Sequence, residues 1–170
     1  MAKMSRSDDV CDGDAMAAYQ SFLDQSDAAL EHDDFDTFIS RILLPQLIIQ
    51  GSERLIVTST DEIRHVFHAT RHMLATRNIR RRTRLCTNAR LTGDGTLIGH
   101  HTTWLVTTDN TIDESYRVES HLRQRDGVWC ILASSFAGPS DALPGRMHQA
   151  SLAAQRNTAA HLAHREDSHD

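Results

Sequence analysis

Apolar residues recur with a helical period in the first part of the chain. Over residues 14–31 they return every three or four positions, which is typical of a helix with one buried face. Asp33 or Asp34 can cap a second helix, whose apolar residues keep this spacing as far as Leu43 and stop before Pro45. The pattern therefore predicts two amphipathic helices at the start of the fold.

A hairpin and a third helix follow. Two short β-rich runs, 46–50 and 54–58, flank a Gly-Ser pair and predict the hairpin. Ser59 and Glu62 have the spacing of a capping box, in which each side chain bonds the backbone N–H of the other residue, so a third helix should begin here. Its buried face is predicted to carry Ile63, Val66, Phe67, Thr70 and Leu74.

Three histidines, His65, His68 and His72, lie on the other side of this third helix. His68 and His72 have the i, i+4 spacing of a metal-binding pair, but no acidic residue completes the motif. We therefore expect an exposed histidine stripe and no metal site.

The rest of the ordered pattern is a four-stranded meander. Runs with strand alternation cover residues 82–92, 96–108, 111–124 and 128–136. Three turn dipeptides separate them: Asp94-Gly95, Asp109-Asn110 and Asp126-Gly127. If each is a two-residue turn, the register follows. The predicted pairs include Leu91 with Ile98, Ala89 with His100, Leu85 with Trp104, Trp104 with Ser115, His100 with Glu119, Glu119 with Ser134 and Arg117 with Phe136.

This register brings four ionisable residues together on one face of the sheet: His100, Arg117, Glu119 and His121. Their neighbours are apolar and include Trp104. Ionisable groups in such surroundings are costly unless they are paired, so the group indicates either a ligand pocket or a self-satisfied polar network. The opposite face is also partly apolar. We expect the helices to cover one face and a second subunit to cover the other, which predicts a homodimer.

Composition sets the remaining limits. The 170 residues suit one domain, 14–137, with a leader over 1–13 and an Ala-, Gln- and His-rich tail over 138–170 that adds little core and forms either a surface helix or a partner contact. The net charge of −5 argues against nucleic-acid binding, despite five arginines within 77–84.

No apolar run approaches the length of a membrane span. The three cysteines include no CxxC pair, which fits a reducing compartment and predicts a cytoplasmic protein.

The order of elements resembles the nuclear transport factor 2-like superfamily, which includes SnoaL-like polyketide cyclases, ketosteroid isomerase, scytalone dehydratase and the small subunits of ring-hydroxylating dioxygenases. The resemblance covers residues 14–137. It is carried by Asp33-Asp34-Phe35-Asp36, by residues 51–57 before Thr60-Asp61-Glu62-Ile63, and by Asp126-Gly127-Val128-Trp129-Cys130-Ile131. It implies an α+β fold in which a curved mixed sheet forms a cone around three helices, a cystatin-like roll that is usually a dimer with an inner pocket.

The resemblance implies a pocket for a small apolar molecule with a polar handle, without a cofactor. We expect proton-transfer chemistry beside a carbonyl, namely isomerisation, dehydration or cyclisation. His100 would be the acid or base, Glu119 would orient it, and Arg117 and Tyr19 would stabilise an anion. Trp104, His121 and Gln50 complete the predicted binding residues. Gln50 stands where the isomerases carry a catalytic Asp, and an amide cannot act as a base.

The alternative is a non-catalytic assembly subunit of the dioxygenase small-subunit type. In that case the sheet packs against a partner and the polar group is purely structural.

Overall fold

The structure is a computed structural model and describes residues 12–137, together with Ala153 and Arg156. Its elements are α1 Asp12–Glu31, α2 Phe35–Ser40, β1 Ile42–Gln50, β2 Glu53–Val57, α3 Thr60–Thr76, β3 Ile79–Leu91, β4 Leu97–Thr107, β5 Ile112–Arg125 and β6 Val128–Ala137. The predicted order of two helices, a hairpin, a third helix and a four-stranded meander is confirmed. Most of the predicted leader and nearly all of the predicted tail lie outside the described residues.

The strands form one mixed six-stranded sheet in the order β2-β1-β6-β5-β4-β3. β1 runs parallel to β6, and every other pair is antiparallel. Helix α1 packs mainly on β3, and the apolar stripes of α1 and α3 form the core with one face of the sheet. We call this covered side the inner face and the other side the outer face.

Helix α1 is also tied to the edge strand β3 by a side chain. The Gln20 amide donates to the carbonyl of Arg84 at 3.0 Å and accepts from the backbone N–H of Cys86 at 2.8 Å. One side chain thus satisfies two backbone groups that an edge strand would otherwise leave to solvent.

Ser59 caps the start of α3 as predicted, but the return bond from Glu62 goes to Thr58 instead of Ser59. Ser59 Oγ accepts from the backbone N–H of Glu62 at 3.3 Å, and the Glu62 carboxylate accepts from the backbone N–H of Thr58 at 2.9 Å. The expected end of the second helix is wrong. α2 stops at Ser40, and Pro45 lies within β1, where the pairing with β6 is interrupted between Ile42 and Leu47. Proline has no N–H for a ladder, so it fits such an irregular stretch.

The register between β4 and β5 is confirmed: His100 pairs with Glu119, and Trp104 pairs with Ser115. The register between β3 and β4 is wrong by one residue, since Leu91 pairs with Leu97. The cause is a longer turn, closed by the Thr92 N–H donating to the Thr96 carbonyl at 2.8 Å, with the intervening Gly95 at φ +81°.

Two bulges cause further shifts. Cys86 pairs with His101 while Asn88 pairs with His100, so β3 carries one extra residue between these two pairs. The pairing of β3 before this point is shifted, and Leu85 pairs with Thr102 instead of Trp104.

A second bulge lies on β6 between Ile131 and Ala133. Glu119 consequently pairs with Ser135, not with Ser134, and Arg117 pairs with Ala137, not with Phe136. Ser134 and Phe136 therefore turn to the inner face.

Candidate functional site

A cavity of about 150 Å³ lies between the inner face and the helices. Most of its wall is apolar, with contributions such as Phe22, Leu30, Phe38, Ile48, Ile63 and Val118. Its polar groups come mainly from the sheet, and they include Arg82, Arg84, His101, Thr103, Tyr116, Ser120 and Ser134. The cavity is thus an apolar chamber with a polar patch on one wall.

A buried tyrosine-histidine pair lies in this region. Tyr19 of α1 and His101 of β4 are 0% and 3% exposed, and the Tyr19 oxygen lies 2.6 Å from His101 Nδ1. Their ring centroids are 5.8 Å apart at a tilt of 48°. The pair depends on Gly99, because a Cβ atom there would lie only 2.5 Å from atoms of the Tyr19 ring.

Burial sets the protonation state of this pair. It raises the pKa of Tyr19 to about 12, although a hydrogen bond from Ser120 and the charge of Arg84 act in the opposite direction. Burial, followed by the positive charges of Arg84 and Arg82, lowers the pKa of His101 to about 2. At neutral pH both groups are therefore uncharged, and a single hydrogen bond joins the Tyr19 oxygen to His101 Nδ1.

Two arginines of β3 share one carboxylate beside the cavity. Asp27 of α1 lies 2.8 Å from Arg84 Nε and 3.1 Å from Arg82 Nε. Arg84 Nη2 also donates to the carbonyl of Leu23 at 2.7 Å. The side chains of Arg84 and Arg82 are only 9% and 18% exposed, and burial lowers the pKa of Arg84.

The predicted histidine-glutamate pair also forms, but on the outer face. The Glu119 carboxylate lies 3.0 Å from His100 Nε2 and 2.7 Å from His121 Nε2. The hydrogen bond from His121 lowers the pKa of Glu119, burial opposes this shift, and His100 adds to it. The three side chains are 36–46% exposed. They lie by an open groove of about 620 Å³ that Arg117 and Ser135 help to line.

The structure therefore separates the predicted site residues. His100, Arg117, Glu119, His121 and Trp104 share the outer face. Tyr19 lies on the inner side with His101, and Gln50 is buried two residues beyond Ile48 of the cavity wall. The expectation that Tyr19 and His100 face the same ligand is wrong, because adjacent β4 residues point to opposite faces and α1 covers the face of His101. The catalytic and binding roles of these residues stay predictions.

The residues that sequence reasoning missed are His101, Arg84, Arg82 and Ser120. One available signal was the smallness of Gly99 and Ser120 on neighbouring strands, since small side chains make room for a helix ring on the covered face. The predicted register already placed Arg84 on the face of His101, but the sequence pattern did not indicate that the helices cover this face and not that of His100.

The histidine stripe predicted on α3 lies where we expected it. His65, His68 and His72 are exposed on α3. Cys86 and Cys130 are buried free thiols. Among the described residues, no three His, Cys, Asp or Glu side chains are grouped so that they could hold a metal ion. Within the same part of the chain, the helices are too short or too polar to span a bilayer.

No protein-family model and no curated protein matches the chain. Solved structures do match. An NTF2-like protein of unknown function from Shewanella oneidensis is 10% identical with a TM-score of 0.55, and the match covers 72% of this chain and 98% of that one. Aln2 from a Streptomyces species is 12% identical with a TM-score of 0.56, over 71% and 88%. A protein from Catenulispora acidiphila, in complex with S-DNPA, is 14% identical with a TM-score of 0.52, over 73% and 94%.

Identities this low establish the fold alone. The matches nevertheless span most of each neighbour, and they agree with the α+β architecture and the mixed sheet described above. The chain therefore has the fold of the nuclear transport factor 2-like superfamily.

Proposed function

We propose that the chain is a small-molecule-binding protein whose site is the inner cavity. The observation that carries the proposal is the combination of an apolar chamber with a buried Tyr19–His101 pair on the covered face of the sheet. Natural ligand sites typically have this composition, with an apolar lining and a few convergent polar groups. One structural neighbour was solved in complex with a small ligand, S-DNPA, which is consistent with such a use of the fold.

The volume of the cavity limits the ligand. At about 150 Å³ it is smaller than the sites of drug-sized ligands, which begin near about 300 Å³, and it matches cavities that accept a benzene ring. We therefore infer a ligand with one ring or a short branched chain and one polar group.

The Tyr19–His101 pair favours hydrogen bonding over proton abstraction. A general base works best when its pKa lies near the working pH, and the pKa of His101 is lowered to about 2. Whichever of the two neutral groups donates to the other, one further N–H or O–H of the pair remains as a hydrogen-bond donor, suited to a carbonyl or to a developing enolate oxygen. In any isomerisation or dehydration, the pair would thus polarise the ligand.

Paired substitutions on β6 test the location of the site. Ser134 lines the cavity, whereas its neighbour Ser135 lines the outer groove. Binding of benzyl alcohol, a neutral one-ring probe, is measured by calorimetry. We expect Ser134→Leu to abolish binding by filling the cavity and Ser135→Leu to leave it unchanged. The opposite result would move the site to the outer groove, and no binding to the wild-type chain would contradict the proposal.

The outer face favours a second, non-catalytic role as a contact surface for another copy of the chain. The exposed side chain of Leu85 on β3, 55% accessible, lies beside the half-buried Trp104 of the neighbouring strand β4. Exposed apolar area on a sheet face commonly marks an interface. Analytical ultracentrifugation tests it: the wild type is expected to sediment as a dimer and Leu85→Glu as a monomer. A wild-type monomer at all concentrations would exclude this role.

A further inference from the structure

The cavity wall carries positive charge without matching negative charge. Three arginines, Arg41, Arg82 and Arg84, contribute to it, and no Asp or Glu side chain of the described residues does. Asp27 holds Arg82 and Arg84 from outside the wall, at 3.1 Å and 2.8 Å. An isolated charge in an apolar site is costly, so this excess positive charge favours a negatively charged partner.

The charges near the Tyr19–His101 pair can be counted directly. On the inner side, Arg82 and Arg84 bring two positive charges and Asp27 brings one negative charge, which leaves one positive charge. Glu119, whose charge also acts on Tyr19, lies on the outer face and contacts His100 and His121 there. Tyr19 and His101 do not change this balance, because burial keeps both of them neutral at pH 7. The same positive field is one cause of the low pKa of His101, which places the surplus charge close to the polar patch.

The guanidinium groups also have N–H donors that are available to a ligand. A guanidinium carries five N–H donors, and within the described chain the contacts of Arg84 are one through Nε to Asp27 and one through Nη2 to the Leu23 carbonyl. The remaining N–H groups suit the two oxygens of a carboxylate, with which arginine forms charge-assisted pairs.

We propose that the ligand of the cavity is a small monoanion, a carboxylate or an enolate on a one-ring or short branched body, whose charge is neutralised by Arg84 and Arg82. The inference rests on the proposed function, since it assigns a ligand class to the same cavity. The apolar body of this ligand fills the cavity, and its anionic group lies at the polar patch formed by Arg84, Arg82 and His101.

The test compares benzoate with benzyl alcohol, because the two probes share a ring and differ in charge at pH 7. We expect calorimetry to show that benzoate binds the wild type at least about tenfold more tightly, as charge-assisted hydrogen bonds require. Arg84→Gln should reduce this preference to near parity. Arg117→Gln, which removes an arginine from the outer groove, should leave it unchanged.

Two further variants keep the test decisive. If Arg84→Gln does not fold, Arg82→Gln replaces it, because Arg82 is twice as exposed, 18% against 9%, and its loss should still reduce the preference for benzoate. Asp27→Asn should strengthen the binding of benzoate instead of weakening it. It leaves both arginines without their carboxylate, so benzoate should raise its melting temperature more than that of the wild type.

The outcomes separate the two proposals. Equal affinity for both probes, with both lost in Ser134→Leu, would overturn the monoanion inference and leave the cavity as the site. A benzoate preference that survives Arg84→Gln and Arg82→Gln but disappears in Arg117→Gln would place anion binding on the outer face and contradict the inference. If neither benzoate nor benzyl alcohol binds the wild type, both proposals are overturned.

Discussion

Two carboxylates in this molecule each hold two basic side chains, one beside the inner cavity and one on the outer face. Asp27 contacts two arginine Nε atoms at 3.1 and 2.8 Å, and Glu119 contacts two histidine Nε2 atoms at 3.0 and 2.7 Å. The distances are nearly the same, but the Asp27 side chain is 20% exposed and that of Glu119 is 41% exposed.

The difference shows that contact geometry alone does not locate a functional site. At the protein surface, water and salt screen an ion pair, so its net contribution is small. In a buried site, the same contacts control which groups carry charge and what a ligand must bring. The sequence pattern predicted the outer contacts correctly, and the candidate site lies around the inner ones.

The largest expected effect comes from the inner carboxylate. Asp27→Asn leaves Arg82 and Arg84 without a compensating charge in a mostly buried position, which should lower the free energy of unfolding by about 3 kcal/mol. Urea titration followed by circular dichroism measures it. A loss below about 1 kcal/mol would show that the inner ion pairs contribute no more to stability than the outer ones, which would contradict this difference between the two faces.

The next effect tests how the inner pair is positioned. Gly99→Ala places a methyl group 2.5 Å from the Tyr19 ring, so we expect a loss of about 2 kcal/mol from overpacking. Gly93→Ala is the matched control, because no atom lies within 4 Å of its Cβ position and its backbone is not left-handed. Similar stabilities of the two variants would mean that Tyr19 does not pack on β4 as described.

The third effect concerns pH and distinguishes neighbouring histidines. The pKa of His101 falls from 6.5 to about 2 on folding, so below pH 6.5 the unfolded chain binds a proton that the folded chain excludes. Stability from this residue is present above pH 6.5 and decreases as the pH falls, by about 2 kcal/mol between about pH 7.5 and about pH 5. His101→Gln should flatten this part of the profile, and His100→Gln should not. Parallel profiles for wild type and His101→Gln would contradict the assignment.

The smallest effect is expected on the outer face. The pKa of Glu119 is lowered, chiefly by the hydrogen bond from His121, so its contribution is present above its ordinary value of 4.5 and is lost as the pH falls through the lowered value. Glu119→Gln should cost less than about 1 kcal/mol at neutral pH because the carboxylate is exposed to solvent. A cost above about 2 kcal/mol, measured in the same urea titrations, would indicate that Glu119 and its two histidines stabilise the fold as a buried network does.

The elements and the central register could be predicted because they follow from periodicity and turn chemistry. The helix cap at Ser59 and the pairing of His100 with Glu119 both follow from residue spacing. The errors arose at irregularities. The bulge between Cys86 and Asn88 and the turn after Leu91 each shift a strand by one residue, and neither has a clear signature in composition.

The candidate site was harder to predict because both faces of the sheet are partly apolar. Which face is inner depends on where α1 lies, and that is decided by contacts distant in sequence, such as Tyr19 against Gly99. His100 and His101 are adjacent, so choosing the wrong face exchanges one histidine for the other. Tyr19 belongs to the apolar stripe predicted on the first helix, and its buried hydroxyl contacts His101 and not His100.

The central claim is that the inner face, not the outer one, is the ligand site. The most direct measurement is a titration with benzyl alcohol and then benzoate, followed through the histidine ring signals in ¹H–¹³C NMR spectra, with His100→Gln and His101→Gln used for assignment. The account predicts that the His101 signal moves with saturation while the His100 and His121 signals stay in place. Saturable movement of His100 and His121 with a stationary His101 would contradict it.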